Sequence, residues 1–545
     1  MPKQLAITVS GAVSLGSYEA GVLYEVLYAI GQHNHNPQTS DDEKIYIDVL
    51  TGASAGGMSI ALAAQKLLYD ADALSEPYNN TLYQAWVVDI DISSLLQMQK
   101  DEPAAFSILS SDCIVKLSQQ YLNGRYNNGP IPLPKTHPAI GPEKTLRLGL
   151  ALSNLNGVDY ARNTLAGAEF VYSRFADEVR RTVGLNDDNV GVWRPIAETA
   201  VACGAFPFAF RPQDVARVRE DFDNEFLVTA NLPNPLSFTY TDGGVFQNEP
   251  LGLAKDFVDE IDRHLNTENR AYLFVSPESK LSVSDHKFSA KDADFHTMLG
   301  KLWNAIFYQS RFEDWIRAEE VNEKIDLFNQ RAGELKDLFL NGELITQASA
   351  AVSDVLLKAL IPFEPDRNAA RSQLRSQFST EYAQLASAAA VGHTGAEAWI
   401  DAVLALEMAA DLHEKDEMYI YTITAAETEL AGAQLMSFLG FLDQNYRQHD
   451  YDIGRTKAQA WLSGQTPQGG PLPPLRYLPL PIRPINTKLA GCKIQNAPIE
   501  KREALRDQFK SRVDIALKEA NLPFVVRKLI ETFYIDRKIN QFLGL

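Results

Sequence analysis

A serine flanked by glycines constrains this chain most, because it stands where a predicted strand turns into a predicted helix. Residues 46–51 are mainly apolar and predict a buried strand, the next six read Gly-Ala-Ser-Ala-Gly-Gly, and residues 58–68 are apolar at helical spacing. Such a sharp turn needs glycines two residues before and after the serine, since the two backbones come too close for side chains. The pattern predicts a nucleophile elbow with Ser54 at its apex and with Gly52 and Gly56 in structural roles. A structural turn without chemistry is the alternative interpretation.

A second glycine-bearing loop lies upstream of the elbow. Residues 4–9 predict a short apolar strand, and the following Ser-Gly-Ala-Val-Ser-Leu-Gly ends at Gly16, where a helical pattern begins. Free amides in such a loop bind anions, so a phosphate cradle is one interpretation. The spacing from Gly11 to Gly16 fits neither a dinucleotide fingerprint nor a lysine-bearing phosphate loop. We therefore expect an oxyanion loop. The backbone amides predicted to line the hole are those of Gly11, Ala12, Val13 and Ala55.

The third motif is an aspartate at the end of a predicted strand. Residues 237–241 alternate in polarity, and Asp242, Gly243 and Gly244 follow at once. Such a tripeptide is usually only a turn. Here it shares a predicted sheet with the other two motifs, and the carboxyl ends of parallel strands meet at one edge of a sheet. We therefore predict that Asp242 reaches Ser54 as a general base and that the two glycines are structural.

Together these motifs resemble the patatin-like phospholipases, in which a Ser–Asp dyad replaces the usual triad. The resemblance covers roughly residues 4–275 and implies a three-layer α/β/α fold with a mainly parallel central sheet. It also implies a lipid acyl hydrolase, phospholipase A-like or carboxylesterase, that works through an acyl-enzyme without cofactor or metal. The blocks that carry it, in order along the chain, are residues 11–16 with 21–23, 52–56, 202–212, and 242–250 with Asn248 and Pro250.

The chain departs from the family's pattern in two places. Ala12 and Val13 stand where the family commonly has glycines, and Leu15 stands where it commonly has a basic residue. Without that cation, neutral acyl esters are as open a substrate class as phospholipids. The stretch 72–143, which includes the proline-rich segment 129–138, is longer than the family usually has. A lid and a surface insertion are both open interpretations of it.

A Ser–His–acid triad is the competing catalytic arrangement. An α/β-hydrolase would normally place more of its sheet before the nucleophile than one strand and one helix, so we favour the dyad. None of the histidines after the acid sits in a recognisable catalytic loop. These formal candidates are His264, His286, His296, His393, His413 and His449.

Composition narrows the classes of partner and compartment. The net charge of −19 opposes binding to nucleic acid, and the three scattered cysteines fit neither a disulfide framework nor a zinc motif. No signal peptide and no run long enough to span a membrane is recognisable, so we expect a cytoplasmic protein. Residues 483–545 carry 13 Lys and Arg against 7 Asp and Glu. The apolar stripe over 522–542 predicts a helix that either docks on a lipid surface or packs on the core.

Domain organisation follows from a change of pattern after residue 277. Strands give way to predicted helices over 295–316, 352–360, 372–390 and 397–412, interrupted by one strand at 418–424. We predict a catalytic domain at 1–290 and a mainly helical C-terminal region at 291–545, with a Pro/Gly-rich linker at 464–484. Residues 438–455 are similar to a C-terminal block of some bacterial patatin-like proteins, and we expect them to be structural. An acyltransferase and a non-catalytic scaffold stay open beside the hydrolase.

Overall fold

The structure is a computed structural model, and its described residues cover most of the two ends of the chain. They are 2–97, 99, 102, 107–123, 134–163, 169–187, 190–222, 227–262, 269–279, 287–291, scattered positions in 297–332, 343–361, 363–377, 394–410, 418–464, 472–519, 540 and 543–545. Most of the predicted helix at 295–316, the end of the one predicted at 372–390 and most of the stripe at 522–542 lie outside the described residues.

The described strands form one eight-stranded sheet. Its order is β5-β6-β3-β2-β1-β7-β8, and β4 pairs with β3 off this path. Its centre is parallel, in the pairs β1–β2, β2–β3 and β7–β8, while β3–β4, β3–β6 and β5–β6 are antiparallel. The strands are β1 (Lys3–Val9), β2 (Ile45–Gly52), β3 (Thr145–Asn163), β4 (Glu169–Gly184), β5 (Gln213–Ala216), β6 (Ser237–Asp242), β7 (Arg270–Ser279) and β8 (Ile420–Ala426).

Helices surround the sheet and continue through the C-terminal half. Helix α3 runs on into a π-helical turn, Gln84–Asp89, and α5 into another, Gln119–Asn123. The helices are α1 (Gly16–His35), α2 (Ser54–Tyr69), α3 (Thr81–Tyr83), α4 (Ile92–Leu96), α5 (Asp112–Ser118), α6 (Val190–Cys203), α7 (Leu251–Asp262), α8 (Glu343–Leu360), α9 (Glu364–Gln377), α10 (Thr394–Ala409), α11 (Gln434–Ser437), α12 (Gln444–Leu462) and α13 (Ile499–Glu519).

Two neighbouring residues of β3 show the layers. A Cβ placed on Gly149 would lie 2.6 Å from the Leu253 side chain of α7, whereas the Leu150 side chain lies 3.2 Å from a Cβ built on Gly57 of α2. Successive residues of a strand face opposite sides of the sheet. Helices α7 and α2 therefore cover opposite faces, and the predicted three-layer fold with a mainly parallel centre is confirmed.

Strand β6 runs opposite to the direction that the sequence motifs suggested. It is antiparallel to β3, with Asp242 opposite Leu152, while Gly52 of the parallel β2 lies opposite Leu150. The expectation that Asp242 ends a strand parallel to β2 is wrong. Asp242 still arrives at the elbow, because β3 extends well past its pairing with β2 and β6 returns along that extension.

The C-terminal helix α12 packs directly on α1. A Cβ on Gly21 of α1 would lie 2.1 Å from the Tyr451 carbonyl, and one on Gly454 would lie 2.2 Å from the Tyr18 carbonyl, so the backbones touch at glycines. The fully buried Glu25 and Arg455 form an ion pair of 2.8 Å across the same interface. Strand β8 adds to the sheet beside β7, so sequence-distant segments share this core.

The chain separates into two compact units. The first comprises Met1–Phe257, Ala271–Glu313 and Ile420–Leu545, and holds the sheet. The second comprises Val258–Arg270 and Asp314–Tyr419, and α8, α9 and α10 build its own apolar core around Trp399. The division of the catalytic and C-terminal regions at residue 290 stays a prediction.

Candidate active site

Ser54 lies at the elbow between β2 and α2 in a left-handed conformation. Its φ is +49°, a conformation that costs a non-glycine residue free energy and that close packing around it maintains. The Cys203 Sγ at the end of α6 lies 3.8 Å from the Ser54 carbonyl oxygen. A Cβ on any of the predicted structural glycines would come within 3.0 Å of a neighbouring atom. These glycines are Gly16, Gly52, Gly56, Gly243 and Gly244.

The Ser54 hydroxyl donates a hydrogen bond of 2.5 Å to Asp242 Oδ2. The other carboxylate oxygen, Oδ1, accepts the Gly244 amide at 2.7 Å. The Asp242 amide donates to the Ala205 carbonyl at 3.0 Å, which fixes the end of β6. Both oxygens of the carboxylate are thus held in one orientation, with one of them on the serine hydroxyl.

Burial sets the protonation of this carboxylate. Asp242 is 1% exposed, and removal from water raises its pKa to about 7, against the lowering effect of its bonds from Ser54 and the Gly244 amide. A carboxyl group with a pKa near neutrality accepts a proton from a serine hydroxyl far better than one with an ordinary pKa. The arrangement can therefore act as a nucleophile with its base.

The glycine-bearing loop lies directly beside Ser54. A Cβ on Gly11 would come 2.9 Å from Ser54 Cβ, so only glycine fits there. The Gly11 amide donates to the Asn248 carbonyl at 3.0 Å. Our prediction that this amide lines an oxyanion hole does not fit that bond, because the amide already has an acceptor. The contribution of Gly11 is the close approach itself.

The next two residues keep their amides available. Within the described part of the chain, no acceptor is assigned to the amides of Ala12 and Val13. Val13 has φ +53°, where the family commonly has glycine, and Leu15 is wholly buried where the family commonly has a base. Across the elbow, the amide of Ala55 belongs to the first turn of α2, where helices leave amides without an i−4 acceptor. These three amides stay our candidates for the hole.

Asn248 links the two loops, a role that the sequence did not reveal. Its side-chain amide donates to the Gly11 carbonyl at 3.4 Å, and its Oδ1 would lie 2.5 Å from a Cβ on Gly244. Asn248 therefore packs between the oxyanion loop and the aspartate loop. The position of Asn248 in the aspartate block was the only sequence signal for this role. No sequence pattern links Asn248 to Gly11, which lies 237 residues away.

The C-terminal region also contacts the oxyanion loop. Ser14 Oγ donates to the Ser437 carbonyl and accepts the Gly440 amide at 3.1 Å. The segment before α11 is held in turn by the wholly buried Asp450, whose oxygens accept the amides of Ala431 and Gly432 at 2.7 and 2.8 Å. Two regions more than 400 residues apart thus shape one loop.

Of the six candidate triad histidines, one lies among the described residues. This is His449, whose Nε2 lies 2.9 Å from the Glu429 carbonyl. His264, His286, His296, His393 and His413 lie outside the described residues. Across the described ranges, no three His, Cys, Asp or Glu side chains cluster closely enough to hold a metal ion. None of the helices described reaches the length and apolarity that crossing a bilayer requires.

The geometry first defines a class. A serine at a strand-to-helix elbow on a mainly parallel sheet, bonded to a buried acid, is the framework on which α/β serine hydrolases are built. Residues 7–255 match the family model for patatin-like phospholipases, so the chain carries a patatin-like phospholipase domain, as its motifs predicted. The C-terminal region beyond that domain is largely helical, again as predicted.

One curated protein is similar to this chain over part of its length. The uncharacterized protein y4iI of Sinorhizobium fredii is 23% identical over 357 residues, which cover 50% of this chain and 49% of that protein. The match thus spans about half of the relative's length. Since that protein is itself uncharacterized, it adds a similarity without adding an activity.

Proposed function

We propose that this protein is a serine hydrolase that cleaves carboxylic esters of lipids or of related neutral acyl compounds. The observation that carries the proposal is the bond of 2.5 Å from Ser54 Oγ to a buried carboxylate whose pKa is raised to about 7. Ser54 is the proposed nucleophile and Asp242 the proposed general base. The patatin-like domain supports a lipid ester as substrate.

The proposed reaction has two balanced halves. Ser54 Oγ attacks the ester carbonyl carbon while its proton passes to Asp242, and the amides of Ala12, Val13 and Ala55 stabilise the oxyanion. The intermediate collapses, the bond to the alcohol oxygen breaks, and Asp242 returns the proton to that oxygen. Water then attacks the acyl-enzyme, gives a proton to Asp242, and releases the carboxylic acid as Ser54 regains the proton. Transfer to an alcohol instead of water would give an acyltransferase.

We also propose that the protein works in the cytoplasm and contacts a lipid surface. The cysteines Cys113, Cys203 and Cys492 are all unbridged, which suits the cytoplasm. Contact with a lipid surface is the proposed way in which an insoluble substrate reaches the site. No cofactor is required by the chemistry, because the serine, the acid and the backbone amides supply each step.

Labelling with a fluorophosphonate probe tests the nucleophile, and hydrolysis of p-nitrophenyl esters tests turnover. We expect wild-type labelling and turnover, with both lost in Ser54→Ala and turnover lost in Asp242→Asn. Ser59→Ala is the matched control, because Ser59 is a buried serine on the same helix. It should keep both signals. A folded wild-type protein that neither labels nor turns over any ester would favour the scaffold interpretation.

A further inference from the structure

An apolar cavity lies beside the helix that begins at Ser54. Its volume is about 40 Å³. Its wall comes from three parts of the chain: α2, the π-helical turns with α5, and α6. The side chains that line it include Met58, Leu62, Trp86, Ile114, Ala200 and Tyr121.

Each wall of the cavity adjoins a different part of the candidate active site. Met58 is one helical turn after Ser54, about 6 Å along the axis of α2. The Trp86 ring would lie 2.6 Å from a Cβ on Gly16, which directly follows the oxyanion loop. Ala200 precedes by three residues the cysteine whose sulfur touches the Ser54 carbonyl oxygen. The cavity is therefore within one turn of the reacting serine.

Two hydroxyl groups around the cavity are bonded to the protein itself, whereas Trp86 Nε1 has no partner among the described residues. The Ser118 hydroxyl donates to the Ala197 carbonyl at 3.3 Å, and the Tyr121 hydroxyl donates to Asp89. Lys66 Nζ donates to the Tyr121 carbonyl at 2.9 Å, which ties the π-helical wall to α2. Apart from that indole N–H the wall is apolar, and apolar cavities stay dry and bind hydrocarbon.

We propose that this cavity binds the acyl chain of the ester substrate and limits its length. The inference rests on the proposed hydrolase function. A volume of about 40 Å³ takes about one or two methylene groups, since an apolar cavity of about 150 Å³ holds the six carbons of benzene. About four carbons are needed to cross the distance from Ser54 to Met58, so the site suits acyl chains of about five to six carbons. Met58 is unbranched and half-buried, so its flexible side chain forms the neck between serine and cavity.

Most of this wall is supplied by the stretch 72–143. The segments 84–90 and 114–122 contribute Trp86, Ile90, Ile114 and Tyr121 to the lining. In this proposal the stretch 72–143 therefore limits the length of the acyl chain, whether or not its other parts act as a lid. Each methylene that enters the cavity should raise kcat/KM about fourfold, since burying one is worth about 0.8 kcal/mol. Beyond about six carbons the gain should stop.

Two substitutions change the cavity in opposite directions. Ala200→Leu fills it and should lower the ratio of hexanoyl to acetyl kcat/KM at least tenfold. Ile114→Ala enlarges it and should move the optimum of the p-nitrophenyl ester series to longer chains. The controls lie outside the lining: Ala197→Leu at a buried position on the same helix as Ala200, and Leu68→Ala at a buried position on α2. They should affect all chain lengths alike.

A binding measurement separates this proposal from the proposed function. Hexan-1-ol should bind the Ser54→Ala protein in isothermal titration calorimetry, more tightly than ethanol, and Ala200→Leu should weaken that binding. Binding of hexan-1-ol without any wild-type ester turnover would refute the hydrolase and leave a hydrocarbon site. Ester turnover with a chain-length profile that neither cavity variant changes would keep the hydrolase and overturn the role of the cavity.

Discussion

Ser54 Oγ lies 2.5 Å from Asp242 Oδ2, although Ser54 follows β2 and Asp242 ends β6, and these two strands run in opposite directions on either side of β3. The carboxylate is buried, and its pKa is raised to about 7 from an ordinary value of 3.8. A proton on this one group therefore decides two properties of the protein: whether the proposed base can accept the serine proton, and how stable the fold is.

The pH dependence of turnover follows from the first property. Because Asp242 must be ionised to act as a base, kcat/KM should rise with pH through about 7 and reach a plateau above it. The measurement is the pH profile of kcat/KM with a water-soluble p-nitrophenyl ester. Burial raises the pKa of Asp450 to about 7 as well. Asp450→Asn is therefore the control and should keep the inflection; a flat profile between pH 5 and 8 would contradict the assignment of Asp242.

The pH dependence of stability has the opposite sign. The folded-state pKa of Asp242 lies above its unfolded value, so its contribution is complete below about pH 4 and is lost as pH rises through about 7. Wild type should thus lose about 3 kcal/mol of unfolding free energy from this group between pH 5 and 8. Asp242→Asn cannot ionise and should escape that loss. Urea unfolding of both proteins at pH 5 and pH 8 measures how much unfolding free energy each one loses. Equal losses in wild type and Asp242→Asn would count against a raised pKa of Asp242.

The local motifs were predictable from sequence because each depends on neighbouring residues. The elbow at Ser54 and the glycine loop at Gly11 follow from apolar runs and glycine spacing, which act over about ten residues. The direction of β6 was not predictable, since it depends on the extension of β3 beyond its pairing with β2. Short alternating strands look alike in parallel and antiparallel pairs. The prediction that Asp242 reaches Ser54 therefore agrees with the structure, although its premise of a parallel β6 was wrong.

Long-range contacts account for the remaining differences. Asn248 is bonded to a loop 237 residues away, and Ser14 to Gly440 426 residues away. Neither contact leaves a sequence pattern that pairs its two ends. The oxyanion loop was therefore recognisable as a loop, but the loss of the Gly11 amide to Asn248 required the three-dimensional structure.

Val13 offers a test of strain in the oxyanion loop. Its φ of +53° costs a β-branched residue roughly 1–3 kcal/mol, whereas glycine adopts this conformation freely. Val13→Gly should stabilise the fold by about 1 kcal/mol after the entropy cost of glycine, with turnover kept. Ala12→Gly is the matched control, because Ala12 has φ −145° and carries no such strain. It should be neutral or destabilising in thermal unfolding. Equal effects of the two substitutions would argue against strain at Val13.

Ser14 tests whether the C-terminal region positions the oxyanion loop. Ser14→Ala leaves the Gly440 amide and the Ser437 carbonyl without their buried partner, which should cost about 1–3 kcal/mol of stability. Because the same loop carries the candidate oxyanion amides, kcat should fall while KM changes little. Ser17→Ala is the control, since its hydroxyl donates to the Ser14 carbonyl at 3.1 Å and, among the described residues, makes no bond to the C-terminal region. It should leave kcat near wild type. An unchanged kcat in Ser14→Ala would show that this contact serves stability alone.

The contact between α1 and α12 gives the sharpest test of how the C-terminal region supports the site. A methyl group on Gly454 would lie 2.2 Å from the Tyr18 carbonyl, a backbone atom that can move only if the helices separate. Gly454→Ala should therefore lower the free energy of unfolding by more than about 2 kcal/mol, although alanine is the better helix former.

Gly31→Ala on α1 serves as the comparison. Its methyl group would meet the His137 ring at 2.8 Å, and a side chain can shift more readily than a backbone carbonyl. The expected loss is smaller, because the gain in helix propensity offsets part of the clash. Urea unfolding measures both variants, with fluorophosphonate labelling as the readout of the active site. Since α1 begins directly after the oxyanion loop, labelling should slow in Gly454→Ala and not in Gly31→Ala. Equal losses of stability in the two variants would mean that the glycine contact does not determine how closely α12 approaches α1.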